Sequence, residues 1–183
     1  GMPVSRLRVL VVDDQAETRL TLRSLLRSLD VGSEPPGGID VAEDGTQALA
    51  AVQAALAEDH PYDLVLLDWV MPGMDGKAVM AELRRMAPRL EIVVASAYGL
   101  DSLRISAMQA GASGFLNKPI LPEGLRAMLA RLLGVSMPEH SRPGAPHEGL
   151  RLDGLRVLLA EDNLLNQQLA IELLARRGAR VAV

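Results

Sequence analysis

The sequence predicts an α/β fold: a parallel sheet with helices covering both faces. Three observations predict it. Val9-Leu10-Val11-Val12, Leu64-Val65-Leu66-Leu67 and Ile92-Val93-Val94-Ala95 are short, continuous apolar runs, the pattern of strands buried on both faces. Segments of helical periodicity lie between such runs. The strand–helix alternation repeats five times by residue 133, and such alternation implies parallel strands joined by right-handed crossovers.

Taken in order, the first strand leads to a helix whose Leu22, Leu25, Leu26 and Leu29 follow the i, i+3, i+4, i+7 spacing of one buried face. The connection over 30–38 holds Pro35-Pro36-Gly37-Gly38 and reads as a solvated loop. Ile39 to Ala42 is a weaker strand, and Ala48, Leu49, Val52 and Leu56 mark the second helix. After the third strand, Asp75 and Gly76 shape the turn into a helix over 76–86. After the fourth, a helix over 101–110 takes Asp101 as its N-cap and stops at Gly111. Gly114 to Leu116 is the fifth strand, and Leu125, Met128, Leu129 and Leu132 mark the last helix.

Beyond residue 133 the texture changes. Pro138, Pro143, Gly144, Pro146 and Gly149 break any periodicity, as in a linker. The start of the chain then returns. Leu155-Arg156-Val157-Leu158 repeats Leu7-Arg8-Val9-Leu10 at an offset of 148. At that offset Glu161-Asp162 falls on Asp13-Asp14, and Leu173-Leu174 on Leu25-Leu26. A repeat this long is domain duplication. The expected organisation is a complete domain over 7–133, a linker over 134–153 and the opening strand–helix–strand of a second domain over 154–183.

Composition removes several functions. The chain has no Cys, which excludes disulfides, thiolate chemistry and Cys-ligated zinc. A net charge of −4 and only four aromatic residues argue against nucleic-acid binding, which wants a basic face and stacking platforms. No apolar run reaches the ~18–20 residues that span a bilayer. Gly1-Met2-Pro3 begins no secretory signal, so the expected location is the cytoplasm, with a parent protein free to be membrane-anchored elsewhere. Of 19 basic residues only Lys77 and Lys118 are Lys, so a Lys marks a place where a compact ammonium is wanted or else a chance survivor.

Acidic residues stand at the strand ends. Asp13 and Asp14 close the first strand and Asp68 closes the third. In an open parallel sheet the ligand crevice lies beyond the carboxyl ends of the strands. If the first and third strands are neighbours there, their backbones lie about 4.8 Å apart, and three carboxylates would crowd one pocket and oppose one another's ionisation. Mg²⁺ resolves that conflict, because it takes oxygen ligands and keeps several waters. Ser96 and Lys118 close the fourth and fifth strands and supply a hydroxyl and an ammonium. Together they suit phosphoryl transfer, with Asp68 as the carboxylate nucleophile.

Asp13-Asp14, Asp68 within DLVLLDWVMPGMDG, Ser96-Ala97 and Lys118-Pro119 together resemble the receiver domain of two-component response regulators over residues 7–133. The resemblance implies a flavodoxin-like doubly wound (βα)5 sandwich with strand order 2-1-3-4-5. It implies phosphoryl transfer from a phosphohistidine on a histidine kinase or phosphotransfer domain to Asp68. Asp14, Asp68 and the carbonyl of Val70 are then the direct Mg²⁺ ligands, with Asp13 close by through water. The amides of Trp69, Val70 and Ala97 receive the phosphoryl oxygens. Ser96 and Phe115 form the switch, which acts through packing because Phe has no hydroxyl.

Each residue has a plainer reading. Asp13 can cap a helix, Ser96 can be a small filler, and Phe115 can be core. Trp69 reads as half-exposed packing beside the site. Val70, apolar where some members carry a polar residue, bears on dephosphorylation. His60, before Pro61, reads as a solvated turn residue rather than a phosphodonor. Met71, Met74, Met80 and Met86 read as loop and core residues. Gly73-Met74-Asp75-Gly76-Lys77-Ala78 fails as a P-loop, lacking the first Gly and the final Ser/Thr.

Glu161-Asp162-Asn163 with Asn166-Gln167 resembles the start of receivers at the end of hybrid histidine kinases, so a hybrid sensor kinase is the expected parent, and a multidomain regulator with another output is the alternative. This second segment has no acceptor Asp, no Lys and no hydroxyl partner. It falls below the ~40 residues that usually need outside support to fold. It is expected to dock on a neighbour or pair with its copy in a homodimer, for which the last-helix face is the other candidate. A binding module that signals without phosphate is the remaining reading. The chain carries no kinase of its own.

Overall fold

Apolar side chains alternate sides along the central strands, and that alternation sets the layers. The computed structural model describes residues 3–73, 75–97, 101–134, 154–159, 171, 174–175 and 178–182. The chain divides into two units, Gly1–Pro138 and Glu139–Val183.

In the first unit, strands β1 (Arg8–Val12), β2 (Gly38–Ala42), β3 (Leu64–Asp68), β4 (Glu91–Ala97) and β5 (Gly114–Lys118) form one parallel sheet in the order β2-β1-β3-β4-β5. Helices α1 (Ala16–Ser28), α2 (Gly45–Ala57), α3 (Gly76–Met86), α4 (Asp101–Gln109) and α5 (Pro122–Leu133) connect and follow them. The side chains of β1 divide cleanly. Val9 and Val11 join Leu22 and Leu26 of α1 and Leu125 and Leu129 of α5. Leu10 and Val12 join Val52 of α2, Met80 and Leu83 of α3 and Ala107 of α4. β3 splits in the same way, with Leu64 and Leu66 on one side and Val65 and Leu67 on the other. Double-sided burial of this kind is why these strands read as continuous apolar runs.

The helices start and stop for local reasons. Asp75 accepts from the amides of Lys77 at 3.0 Å and Ala78 at 3.3 Å and so caps α3. Asp44 does the same for α2 through Gln47 at 2.8 Å. The side chain of Asp101, the expected cap of α4, lies outside the described residues. β5 runs two residues past the expected Leu116, because its pairing with β4 continues through Ser96↔Asn117 and Ala97↔Lys118. That extension carries Lys118 to the sheet's carboxyl edge.

The connection over 30–38 is not the free solvated loop its composition suggests. A 3₁₀ turn, Val4–Arg6, lies beneath it. The Gly32 amide donates to Val4 O at 3.1 Å and the Glu34 amide to Ser5 O at 2.9 Å. A Cβ on Gly37 would meet Ser5 O at 2.7 Å, so only glycine admits this approach. Val4 and Val31 are buried in the core, so packing reaches residue 4. Backbone groups that would otherwise face water are satisfied by the N-terminal segment.

In the second unit, strands β6 (Arg156–Leu158) and β7 (Arg180–Ala182) pair in parallel. Their local geometry repeats the first unit. The Ala179 amide donates to Leu174 O at 3.1 Å, as Val31 does to Leu26 O at 3.0 Å. The Gly178 amide donates to Ala175 O at 2.9 Å, as Asp30 does to Arg27 O at 2.9 Å. Gly178 and Asp30 both hold left-handed φ, +90° and +63°. All four second-unit residues stand 148 positions after their counterparts. The Arg180 amide then reaches Leu155 O, as Gly38 reaches Leu7 O. Arg180 stands only 142 positions after Gly38, so the second unit lacks the six-residue connection 32–37. Met74, residues 135–153 of the expected linker and residues 160–170, including Glu161, Asp162, Asn163, Asn166 and Gln167, lie outside the described residues.

Candidate functional site

Parallel register brings the strand ends together. Val12 pairs with Leu67, Asp68 with Ala95, and Ala97 with Lys118. The residue after β1, the last of β3 and the last of β5 therefore share one edge. Asp13 and Asp68 are buried, at 1% and 6% exposed, while Asp14 is open to solvent. One carboxylate oxygen from each of Asp13, Asp14 and Asp68 lies within 4.8 Å of the others.

Lys118 is the counter-charge. Its Nζ donates to Asp13 Oδ2 at 2.7 Å and to Asp68 Oδ2 at 2.9 Å. Burial pulls the Lys118 pKa down, but its hydrogen bonds to Asp13 and Asp68 outweigh this and hold it above the usual lysine value. Burial pushes the Asp68 carboxyl up, and the hydrogen bonds from Lys118 and from the Val70 amide only partly offset it. Asp13 also serves locally: its Oδ1 accepts from the Gln15 amide at 2.9 Å, just before α1. The capping reading and the site reading of Asp13 are both met by one side chain.

The other expected residues divide. The Val70 amide donates to Asp68 Oδ1 at 3.1 Å, and the Val70 side chain is exposed. Trp69 departs from expectation in two ways. It is buried rather than half-exposed, at 8%, and it packs against the start of α3, where a Cβ on Gly76 would come within 3.2 Å of Trp69 Cε3. Its amide is committed to Ala95 O at 3.1 Å, extending the β3–β4 ladder, so it is not a free phosphate donor. Ser96 is 2% exposed and, among the described residues, its Oγ has no partner. A buried orphan hydroxyl is costly and rare in native structures. Phe115 packs at the edge of the core beside α4, and its core reading and its switch reading share that position. Ala97 lies opposite Lys118 in the register. His60 is exposed and its carbonyl accepts from Arg8.

Two features escaped the sequence. Arg19, on α1, donates to the carbonyls of Asp13 at 2.7 Å and Asp14 at 3.1 Å. A groove of about 530 Å³ runs from Lys118 along α1, lined by Glu17, Thr18, Thr21, Leu22, Pro119 and Ile120. The Arg at helical spacing after the acidic pair was the only available signal for the first. The groove joins segments about a hundred residues apart and left none.

Three carboxylates facing one ammonium form a hard, oxygen-only donor set still in excess of negative charge, which suits Mg²⁺ and not a softer metal. Among the described residues no helix is long and apolar enough to cross a membrane.

Residues 9–130 match the model of the response regulator receiver domain. The chain is 46% identical over 117 residues to protein-glutamate methylesterase/protein-glutamine glutaminase 5 of Myxococcus xanthus, covering 63% of this chain and 31% of that protein. It is 37% identical over 125 residues to two-component response regulator ORR41 of Oryza sativa subsp. japonica, covering 68% of this chain and 93% of that protein. Among solved structures, the receiver domain of NtrX from Brucella abortus superposes with a TM-score of 0.57 at 30% identity, covering 70% of this chain and 99% of that one. The chain thus spans under a third of the methylesterase but nearly all of the rice regulator. Receiver domains bind Mg²⁺ at an acidic cluster of this kind and interact with histidine kinases or phosphotransfer proteins. Over residues 9–130, in sequence, strand order and acidic edge alike, the chain belongs to the response regulator receiver domain family.

Proposed function

We propose that the first unit is a phosphoacceptor switch in which Asp68 takes a phosphoryl group from a phosphohistidine of a partner histidine kinase or phosphotransfer domain. An Asp68 oxygen attacks phosphorus, the P–N bond breaks, and the imidazole leaves with the electron pair and is protonated. An acyl phosphate remains on Asp68. The observation that carries this reading is the Lys118 ammonium, 2.9 Å from Asp68 Oδ2. It supplies positive charge where the phosphoryl oxygens gather.

Asp14, Asp68 and the Val70 carbonyl would hold Mg²⁺, with Asp13 acting through water, and the ion would neutralise charge on the transferring group. The orphaned Ser96 hydroxyl would donate to a phosphoryl oxygen and so gain the partner it lacks. The amides of Val70 and Ala97 would add donors. Drawing Ser96 inward lets Phe115 repack and changes the face formed by α4, β5 and α5, a shift between two populations. The groove beside Lys118 gives a phosphohistidine-bearing helix a surface next to the acceptor.

The second unit reads as the first strand–helix–strand of another receiver, over 154–183 after a linker over 134–153. The hydrogen bonds repeated 148 positions on, and the matching left-handed residues, support this. Two receivers in series suit a hybrid sensor histidine kinase as the parent. Leu158, 79% exposed on a two-stranded sheet, favours pairing with further strands or with a second copy. Ile105 and Met108, exposed on α4, favour association through the helical face.

Incubation with acetyl phosphate and Mg²⁺ tests the central reading. Mass spectrometry is expected to find one phosphoryl group at Asp68, with none in Asp68→Asn. Trp69, adjacent to the acceptor, is expected to report Mg²⁺ through its fluorescence. A chain that stays unlabelled under these conditions, and under transfer from a phosphorylated histidine domain, is a phosphate-independent binding module instead.

A further inference from the structure

The geometry points to Arg19 as a positioning residue for the acidic pair, setting the selectivity of the site for Mg²⁺ over larger cations; this rests on the metal reading given above. The Asp14 carboxylate is exposed and, among the described residues, nothing hydrogen-bonds to it. Asp13 and Asp68, by contrast, are each held by Lys118 and by a main-chain amide. Only the main chain can therefore preset where the Asp14 carboxylate stands.

That main chain is gripped by one side chain. Arg19 Nη1 donates to the carbonyl of Asp13 at 2.7 Å and to that of Asp14 at 3.1 Å. Nη2 lies 3.3 Å from Glu43 Oε1, in the turn between β2 and α2. The turn is itself fixed, since the Glu43 amide donates to Gln47 Oε1 at 3.0 Å and the Asp13 amide donates to Ala42 O at 3.2 Å. The Arg19 side chain is only 12% exposed. One guanidinium nitrogen holds both carbonyls while the other is anchored on Glu43, and this rigid planar grip restricts rotation of the peptide that bears Asp14 in a way that a lysine's flexible point charge does not.

Rigidity matters unequally to different ions. Mg²⁺ demands near-ideal octahedral geometry at short distances, whereas Ca²⁺ accepts variable coordination at longer ones. Loosening the Asp14 peptide is therefore expected to cost Mg²⁺ more than Ca²⁺. A pure charge effect moves both ions together, and removing a nearby cation tightens both.

Calorimetric titration of the full chain with Mg²⁺ and, separately, with Ca²⁺ tests this in the wild type, Arg19→Met and Arg19→Lys. In Arg19→Met the Mg²⁺ dissociation constant is expected to rise about tenfold, the scale seen when groups that orient metal ligands are removed. The Ca²⁺ constant is expected to move by no more than about twofold. Arg19→Lys, which keeps the charge without the fork, is expected to fall between the two and covers the case in which the Met variant fails to fold. Equal changes for both ions, an Arg19→Met chain that matches the wild type, or an Arg19→Lys chain indistinguishable from it would each overturn the inference. A wild type that binds neither ion overturns the metal reading beneath it as well.

Discussion

Lys118 and Asp13 are 105 positions apart along the chain and are joined by a hydrogen bond of 2.7 Å. The same ammonium lies 2.9 Å from Asp68, so one cation ties the edges of β1, β3 and β5. Removing it separates the chemistry of the site from the stability of the fold. Lys118→Met is expected to slow phosphoryl labelling of Asp68 about 10²- to 10³-fold, the usual effect of deleting one donor at a developing charge. The fold is expected to persist, because the side chain is a quarter exposed and its stem can still pack. Labelling time courses beside circular-dichroism melts check both parts.

Asp68 presents the opposite balance. Its pKa is raised in the fold, first by burial. A raised folded value means that the stability contributed by the protonated form is complete below the unfolded carboxylate value, about 3.9, and is lost as pH rises through the folded one. At neutral pH the ionised side chain is therefore a cost. Asp68→Asn is expected to melt higher than the wild type at pH 7 without metal, with the gap closing as pH falls toward 4. Melting scans across that range decide it, and a variant that melts lower at pH 7 contradicts the sign.

Ser96 offers a test of its unused hydroxyl. The Oγ is buried and unpartnered, so deleting it removes a desolvated group rather than a bond. Ser96→Ala is expected to match or exceed wild-type stability by up to about 1 kcal/mol. Labelling at Asp68 persists, while the change in Trp69 fluorescence on phosphorylation shrinks. Urea melts and fluorescence on the labelled chain measure the two effects, and a variant destabilised by more than about 1 kcal/mol would show that Ser96 already has a partner.

Gly37 carries the packing between the 32–37 connection and the N-terminal turn. A Cβ there would stand 2.7 Å from both Ser5 O and Arg6 C, which are main-chain atoms with little room to yield. Gly37→Ala is expected to cost about 1–3 kcal/mol, as overpacking does. The same change at Gly73, where nothing lies within 4 Å but φ is +71°, tests left-handed strain alone. Urea melts of both variants, with amide exchange at Gly32 and Glu34 in the first, separate crowding from strain.

Burial on both faces left a direct trace in the order of residues. Val9–Val12, Leu64–Leu67 and Ile92–Ala95 read as central parallel strands, and in the fold Val9–Val12, Leu64–Leu67 and Ile92–Val94 face one helical layer or the other in turn. The acids and the hydroxyl at the ends of those strands could be read in the same way, since each directly follows a buried run, whereas Lys118 follows the exposed Asn117 on the weaker fifth strand and was marked only by its company. Features that depend on distant segments meeting left no such trace. The amide of Trp69 belongs to the ladder with Ala95, and its indole packs closely against Gly76 at the start of α3. The proline-rich connection is held by residues 4–6, and Arg19 grips two carbonyls as well as the Glu43 carboxylate. Main-chain acceptors carry no residue identity, so contacts to them cannot be read from a string of side chains. They exist only once the backbone has taken its path through space.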